Sequence, residues 1–195
     1  MRNNQEFIGN YVSELNNALS DVPADDIDKV IKILLDANKS NKNIFIFGNG
    51  GSAATSSHFA NDLNKLCSVK GKKRFKAFSL ADSIPVMTAW ANDDGYGLIF
   101  VEQLKNLMEE GDICIAISGS GNSENVLKAV EYAKGMKGTT IALVGFDGGK
   151  LKDAVDRHIL VRSRHYGIIE DIHLSICHII ANCIKDAAKS DGGHG

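Results

Sequence analysis

Two short stretches of this chain combine glycine with hydroxyl or amide side chains. Gly48-Asn49-Gly50-Gly51-Ser52 follows one apolar run, and Ser118-Gly119-Ser120-Gly121-Asn122-Ser123 follows another. Glycine leaves backbone N–H groups uncovered, a helix starting just beyond adds partial positive charge, and hydroxyls supply further donors. Such a turn suits an anion, and Ser118, Ser120 and Ser123 suit the three peripheral oxygens of a phosphate. Three readings compete. The first stretch, up to Ala53, fits G-x-G-x-x-G/A, but the next strand ends at Ser79-Leu80-Ala81-Asp82, well beyond the usual spacing of the dinucleotide-binding acid. A nucleoside triphosphate loop needs G-x-x-x-x-G-K-[ST], which is absent. Tight strand-to-helix turns without a ligand explain either stretch singly, yet the serines of the second exceed what a turn needs. A phosphomonoester is the better ligand, and no nucleotide cofactor is expected.

Groups able to move protons or hold a metal stand nearby in sequence. His58 and Asp62 are four apart on a predicted helix, share a face, and could together hold a divalent cation. The plainer alternative is a surface or core histidine beside a solvated aspartate. Towards the C-terminus come Glu170, Asp171, His173 and His178. Glu170 and His178 are separated by about 12 Å of helical rise. Both reach one ion only if Glu170 precedes the regular helix or two subunits contribute. Asn92-Asp93-Asp94 reads as a capped turn, with Asp93 or Asp94 starting a helix over residues 97–108. Trp90 and Tyr96 suit a core or a pocket wall, and the basic run from Lys70 to Arg74 a solvated loop.

The elements that must position these residues follow from patterning. Five runs rich in β-branched and apolar residues, Asn43–Phe47, Phe75–Leu80, Asp112–Ser118, Thr139–Phe146 and His158–Arg162, predict strands. Several are apolar at nearly every position, as in strands buried on both faces of a parallel sheet. Helical spacing between them, clearest over Asn122–Lys134 and from about Gly167 to Lys189, predicts a three-layer α/β/α sandwich with a five-stranded parallel sheet. In the order 2-1-3-4-5 the first and third strands are neighbours at the switch point, and both glycine-serine turns face one crevice. Two further helices, over Gln5–Leu19 and Ala24–Lys39, form an N-terminal extension (residues 1–40) that caps one face or packs on another subunit. Residues 1–195 read as one domain, with a disordered polar tail over residues 190–195.

Composition narrows the function classes. The 195 residues are 44% hydrophobic and 24% charged, with a net charge of −2, so no global basic field draws nucleic acid or an anionic membrane. No run is read as a membrane span or secretory signal, and Cys67, Cys114, Cys177 and Cys183 form no C-x-x-C pair. Free thiols in a reducing cytoplasm are expected.

Taken in order, Asn49-Gly50-Gly51-Ser52, His58, Asn92-Asp93, Ser118 to Ser123 and the late Glu170-Asp171-Ile172-His173-Leu174-Ser175-Ile176-Cys177-His178 resemble the sugar isomerase (SIS) family, with its flavodoxin-like fold. Within it the closest similarity is to the phosphoheptose isomerases, and it runs from about Asn10 to Lys185. The resemblance implies an aldose–ketose isomerase that converts sedoheptulose 7-phosphate to D-glycero-D-manno-heptose 7-phosphate through an enediol. It implies that Asn49, Gly50, Gly51, Ser52, Ser118, Gly119, Ser120, Ser123 and Glu170 bind substrate, with Asn92 and Asp93 on the sugar hydroxyls. It makes Asp62 the base and His178 the acid, and His58, Asp62, Glu170 and His178 the zinc ligands found in some members. It further implies a homotetramer with pockets at subunit interfaces, feeding heptose into lipopolysaccharide or capsule.

Two positions depart from the family pattern. The base is usually Glu, one methylene longer than Asp62, and the position of Glu170 is usually Gln. Either the substrate sits closer or differs, or the added negative charge binds a divalent metal more tightly. The alternative function is a non-catalytic SIS protein that binds a phosphosugar or a protein, as does the relative that associates with a replication initiator. An acid kept at position 62 and the retained His178 weigh against it.

Overall fold

β1 (Ile44–Gly48) reads Ile-Phe-Ile-Phe-Gly, and every residue in it is buried. Its alternation divides the protein in two. Ile44 and Ile46 enter one apolar core, whereas Phe45 and Phe47 enter another on the opposite face of the sheet. The computed structural model describes residues 3–190. β1 pairs in parallel with β2 (Ala77–Ser79) on one side and β3 (Ile113–Ser118) on the other. β4 (Thr139–Gly145) and β5 (Arg157–Val161) complete a five-stranded sheet in the expected order β2-β1-β3-β4-β5.

The first core lies under α1 (Asn4–Ser20), α2 (Ala24–Lys39), α3 (Gly51–Asn61) and α8 (Tyr166–Ser190). The second lies under α4 (Ile84–Asp93), α5 (Val101–Leu107), α6 (Glu124–Gly135) and α7 (Gly149–Ala154). The N-terminal helices therefore cap one face: α2 rests on α8 and β5, and α1 reaches α8 through Tyr11, whose hydroxyl donates to Asp171 at 2.8 Å. α1 buries only Ala18, while Ile8, Val12 and Leu19 stay exposed. α4 buries no residue at all within the chain.

Three expectations need correction. The helix predicted over residues 97–108 is broken into a 3-10 turn, Tyr96–Leu98, and α5, and neither Asp93 nor Asp94 starts it. Asp93 instead ends α4, because Gly95 at φ 100° turns the chain away. α8 is long and apolar enough to cross a membrane, contrary to the reading of the sequence, but its face of Ile168, Ile169, Ile172, Ile176, Ile180 and Ile184 is buried in the first core. Ser190 is the last residue of α8 rather than part of a tail, and residues 191–195 of that predicted tail lie outside the described residues.

Candidate active site

Both glycine-serine turns leave the carboxyl ends of neighbouring strands, β1 and β3, where Gly48 pairs with Ile117. Gly50 takes φ 55° and ψ −123°, a backbone conformation open to glycine and closed to residues with a Cβ, and α3 begins at the next residue. Neither Gly50 before α3 nor Ser123 before α6 caps its helix with a side chain. Two helix N-termini thus present backbone donors at the carboxyl end of the sheet. In the second turn Ser118 Oγ lies 3.4 Å from Ser123 Oγ and accepts from Gly121 N at 3.2 Å. Ser120 Oγ accepts from Asn122 N at 3.3 Å.

The turns are fastened to each other by a residue that motif reading passed over. Asn125, on the first turn of α6, is buried and exchanges two side-chain hydrogen bonds of 2.9 Å with Asn49. Tyr96 adds a third, its hydroxyl donating to Asn49 Oδ1 at 3.0 Å. The side chain of Asn49 is consumed in this joint. The signal for Asn125 in the sequence is an amide placed on the helix face otherwise made of Val126, Ala129, Val130 and Ala133.

α3 carries His58 towards α8, and at Asp62 the helix widens into a π turn, Asp62–Leu66, closed by Cys67 N donating to Asp62 O at 3.0 Å. His58 Nε2 and His178 Nε2 are 3.1 Å apart, and each lies 3.7 Å from Asp62 Oδ2. Asp62 is 6% exposed and its Oδ2 has no hydrogen-bond partner. A buried carboxylate oxygen costs free energy unless a cation or donor meets it. Tetrahedral zinc, with bonds of about 2.0–2.1 Å, holds its ligand atoms about 3.3 Å from one another. The three donors here already stand near that spacing, so the residues fit such an ion. Cys67 and Cys177 lie close enough to feel the Asp62 charge, but burial, with that charge, pushes the Cys67 thiol up to about 12 and the Cys177 thiol upward as well. Both are held in the protonated, weakly nucleophilic form.

The SIS domain family model matches residues 9–145 of this chain. A phosphoheptose isomerase of Helicobacter pylori (strain ATCC 700392 / 26695) is 39% identical over 155 residues, 80% of either chain. A probable phosphoheptose isomerase of Thermoplasma volcanium is 33% identical over 177 residues, 91% of this chain and 90% of its own. The solved phosphoheptose isomerase GmhA of Neisseria gonorrhoeae superposes with a TM-score of 0.86 at 28% identity, over 94% of this chain and all of the other (100%). The chain belongs to the SIS domain family, among the phosphoheptose isomerases.

Within this SIS chain the late polar residues separate into different jobs. Glu170 lies inside regular α8, and its carboxylate rests against Gly51, where a Cβ would come within 2.5 Å of Oε2. It stands at the first turn and not in the group formed by His58, Asp62 and His178, so the fourth metal ligand expected from the sequence is not assembled within one chain. Asp171 is exposed and accepts from Tyr11. His173 is fully buried, and neither ring nitrogen has a hydrogen-bond partner of normal geometry, although the Val144 carbonyl faces it. Burial lowers its pKa to about 4.

Asn92 and Asp93 sit exposed at the end of α4, with Asn92 donating to Asp93 Oδ1 at 2.7 Å. No hydrogen bond joins their side chains to either turn among the described residues. A cavity of ≈ 1030 Å³ lies elsewhere, beyond β4 and β5, lined by Phe146, Leu160, Arg162 and Arg164 among others. Its guanidinium groups share the space with Glu14 and Asp147.

Proposed function

We propose that this SIS protein isomerises sedoheptulose 7-phosphate to D-glycero-D-manno-heptose 7-phosphate. The observation that carries the reading is the buried Asp62 Oδ2, without a hydrogen-bond partner, between His58 and His178, on the helix whose uncapped N-terminus opens the first glycine-serine turn. The backbone N–H groups of Gly50, Gly51 and Ser52 with the hydroxyls of Ser118, Ser120 and Ser123 hold the phosphate, next to Gly119. Asp62 removes the proton from C1 of the ketose and returns it to C2. His178 donates a proton to O2 and takes one from O1, which conserves protons over the cycle.

Zinc would be held by His58, Asp62 and His178, and when bound it supplies charge that stabilises an enediolate. Glu170, at the Gly51 end of the site, contacts substrate. The exposure of Asn92 and Asp93, and of Ile84 and Val86 on the outer face of α4, supports a homotetramer in which a neighbouring copy brings the amide and carboxylate to the sugar hydroxyls. The setting is the cytoplasm, with the product passing to heptose for cell-surface polysaccharide. Incubation with sedoheptulose 7-phosphate, with and without zinc, followed by NMR, tests the reading. Aldose signals are expected, and an unchanged ketose spectrum under both conditions sinks it.

A further inference from the structure

Asp62 is the shorter of the two acidic side chains, and its carboxylate is held by no short hydrogen bond. Oδ2 has no hydrogen-bond partner, the two imidazoles standing 3.7 Å from it, and Oδ1 receives one long hydrogen bond, 3.5 Å, from the adjacent Asn61. Its direction is therefore set by the backbone that carries it. That backbone is a π turn, a conformation that needs support from outside the helix.

The support comes from the edge of the sheet. β2 is an edge strand of three residues, paired only with β1. On its free side Asn64, in the middle of the π turn, donates from Nδ2 to Ala77 O at 2.7 Å and accepts from Ala77 N at Oδ1 at 3.1 Å. One side-chain amide thus does for Ala77 what a sixth strand would do. Leu63 is buried in the first core, and Cys67 Sγ donates to Ala181 O at 3.3 Å on α8, one turn beyond His178. The Cys67 contact ties the turn to the helix that bears His178. Asn64 ties it to the sheet and so fixes how far Asp62 advances towards the two imidazoles.

We propose that Asn64 is a positioning residue for Asp62, acting through the π turn that it pins to Ala77. The assignment rests on the function proposed above, and it concerns geometry that a three-bond glutamate arm could absorb and aspartate cannot. A displacement of about 1 Å at a reacting group can cost about 100-fold in rate, and loss of a residue that orients a metal ligand costs about 10–100-fold in metal affinity or activity.

The test compares Asn64→Ala and Asn64→Asp with the parent protein. Asn64→Asp keeps the acceptor for Ala77 N and loses the donor to Ala77 O. Cobalt(II) is titrated into chelator-treated protein and followed by its visible absorption, alongside thermal melting and steady-state kinetics on sedoheptulose 7-phosphate. For Asn64→Ala we expect cobalt affinity and kcat each to fall by about tenfold or more, with KM within about twofold because the phosphate turns are untouched. Asn64→Asp should fall between it and the parent, and it carries the test if the alanine variant does not fold. Folded variants that keep parental cobalt affinity and kcat, or that change KM alone, overturn the assignment. A parent that binds cobalt without turning over the sugar overturns the proposed function only, and the cobalt titration then decides the role of Asn64. A parent that does neither overturns both.

Discussion

Asn49 and Asn125, from two turns far apart in sequence, face each other as a reciprocal amide pair with both hydrogen bonds at 2.9 Å. The pair holds the loop after β1 against the loop after β3 and so sets the spacing of the phosphate donors. Replacing Asn125 by Leu removes both bonds and leaves the Asn49 amide half-satisfied in a partly buried site. The expected loss is about 1–3 kcal/mol of stability, together with a raised KM for the sugar phosphate at nearly unchanged kcat. Calorimetric melting and initial rates check the two effects. A KM equal to the parent's would separate the pair from phosphate binding.

Asp62→Asn keeps the shape of the side chain and removes its basicity, and His178→Ala removes the proposed acid. Each should lower kcat by about 100-fold or more while inorganic phosphate still binds at the turns. Turnover by either variant within a few-fold of the parent would take that residue out of the proton path. Parallel binding measurements by calorimetry keep a lost fold from being read as lost chemistry.

The sheet order and both turns are legible in the sequence because they rest on local signals: strands apolar on both faces, and glycine and serine placed at strand ends. The pairing of His58 with Asp62 is legible from helical spacing. Asn125 and Asn64 are not, since their roles depend on partners 76 and 13 residues away that no periodicity reports. The π turn is hidden for a related reason. Its i to i+5 bond is selected by packing on β2 and α8, not by residue propensity. Glu170 and His173 share the pattern of late polar residues with His178, and only the direction in which α8 points each one separates a site residue from a core residue.

Gly51 meets the carboxylate of Glu170 at its Cβ position, and this contact separates structure from function at Glu170. In Gly51→Ala the flexible end of Glu170 swings aside, so stability should change by about 1 kcal/mol or less. If Glu170 contacts substrate, KM rises by several-fold and Glu170→Gln, which restores the family's usual residue, does not reproduce the effect. Thermal melts and KM for the three proteins decide it. Unchanged KM in Gly51→Ala would show that the position of the carboxylate is immaterial to binding.

His173 links acidity to folding. Its neutral ring is buried, with a pKa near 4 in the folded chain, whereas an unfolded chain exposes a histidine titrating at about 6.5. Between these values the unfolded state binds the extra proton. Stability from this group is therefore fully present above about pH 6.5 and lost as pH falls towards 4, by about 3 kcal/mol in all. His173→Leu removes both the titration and two unpartnered buried nitrogens, so it should flatten the stability profile between pH 4 and 6.5 and raise stability at the acid end. Urea unfolding at a series of pH values measures the slope. A variant whose midpoint falls with acid as steeply as the parent's would assign the acid sensitivity to other groups.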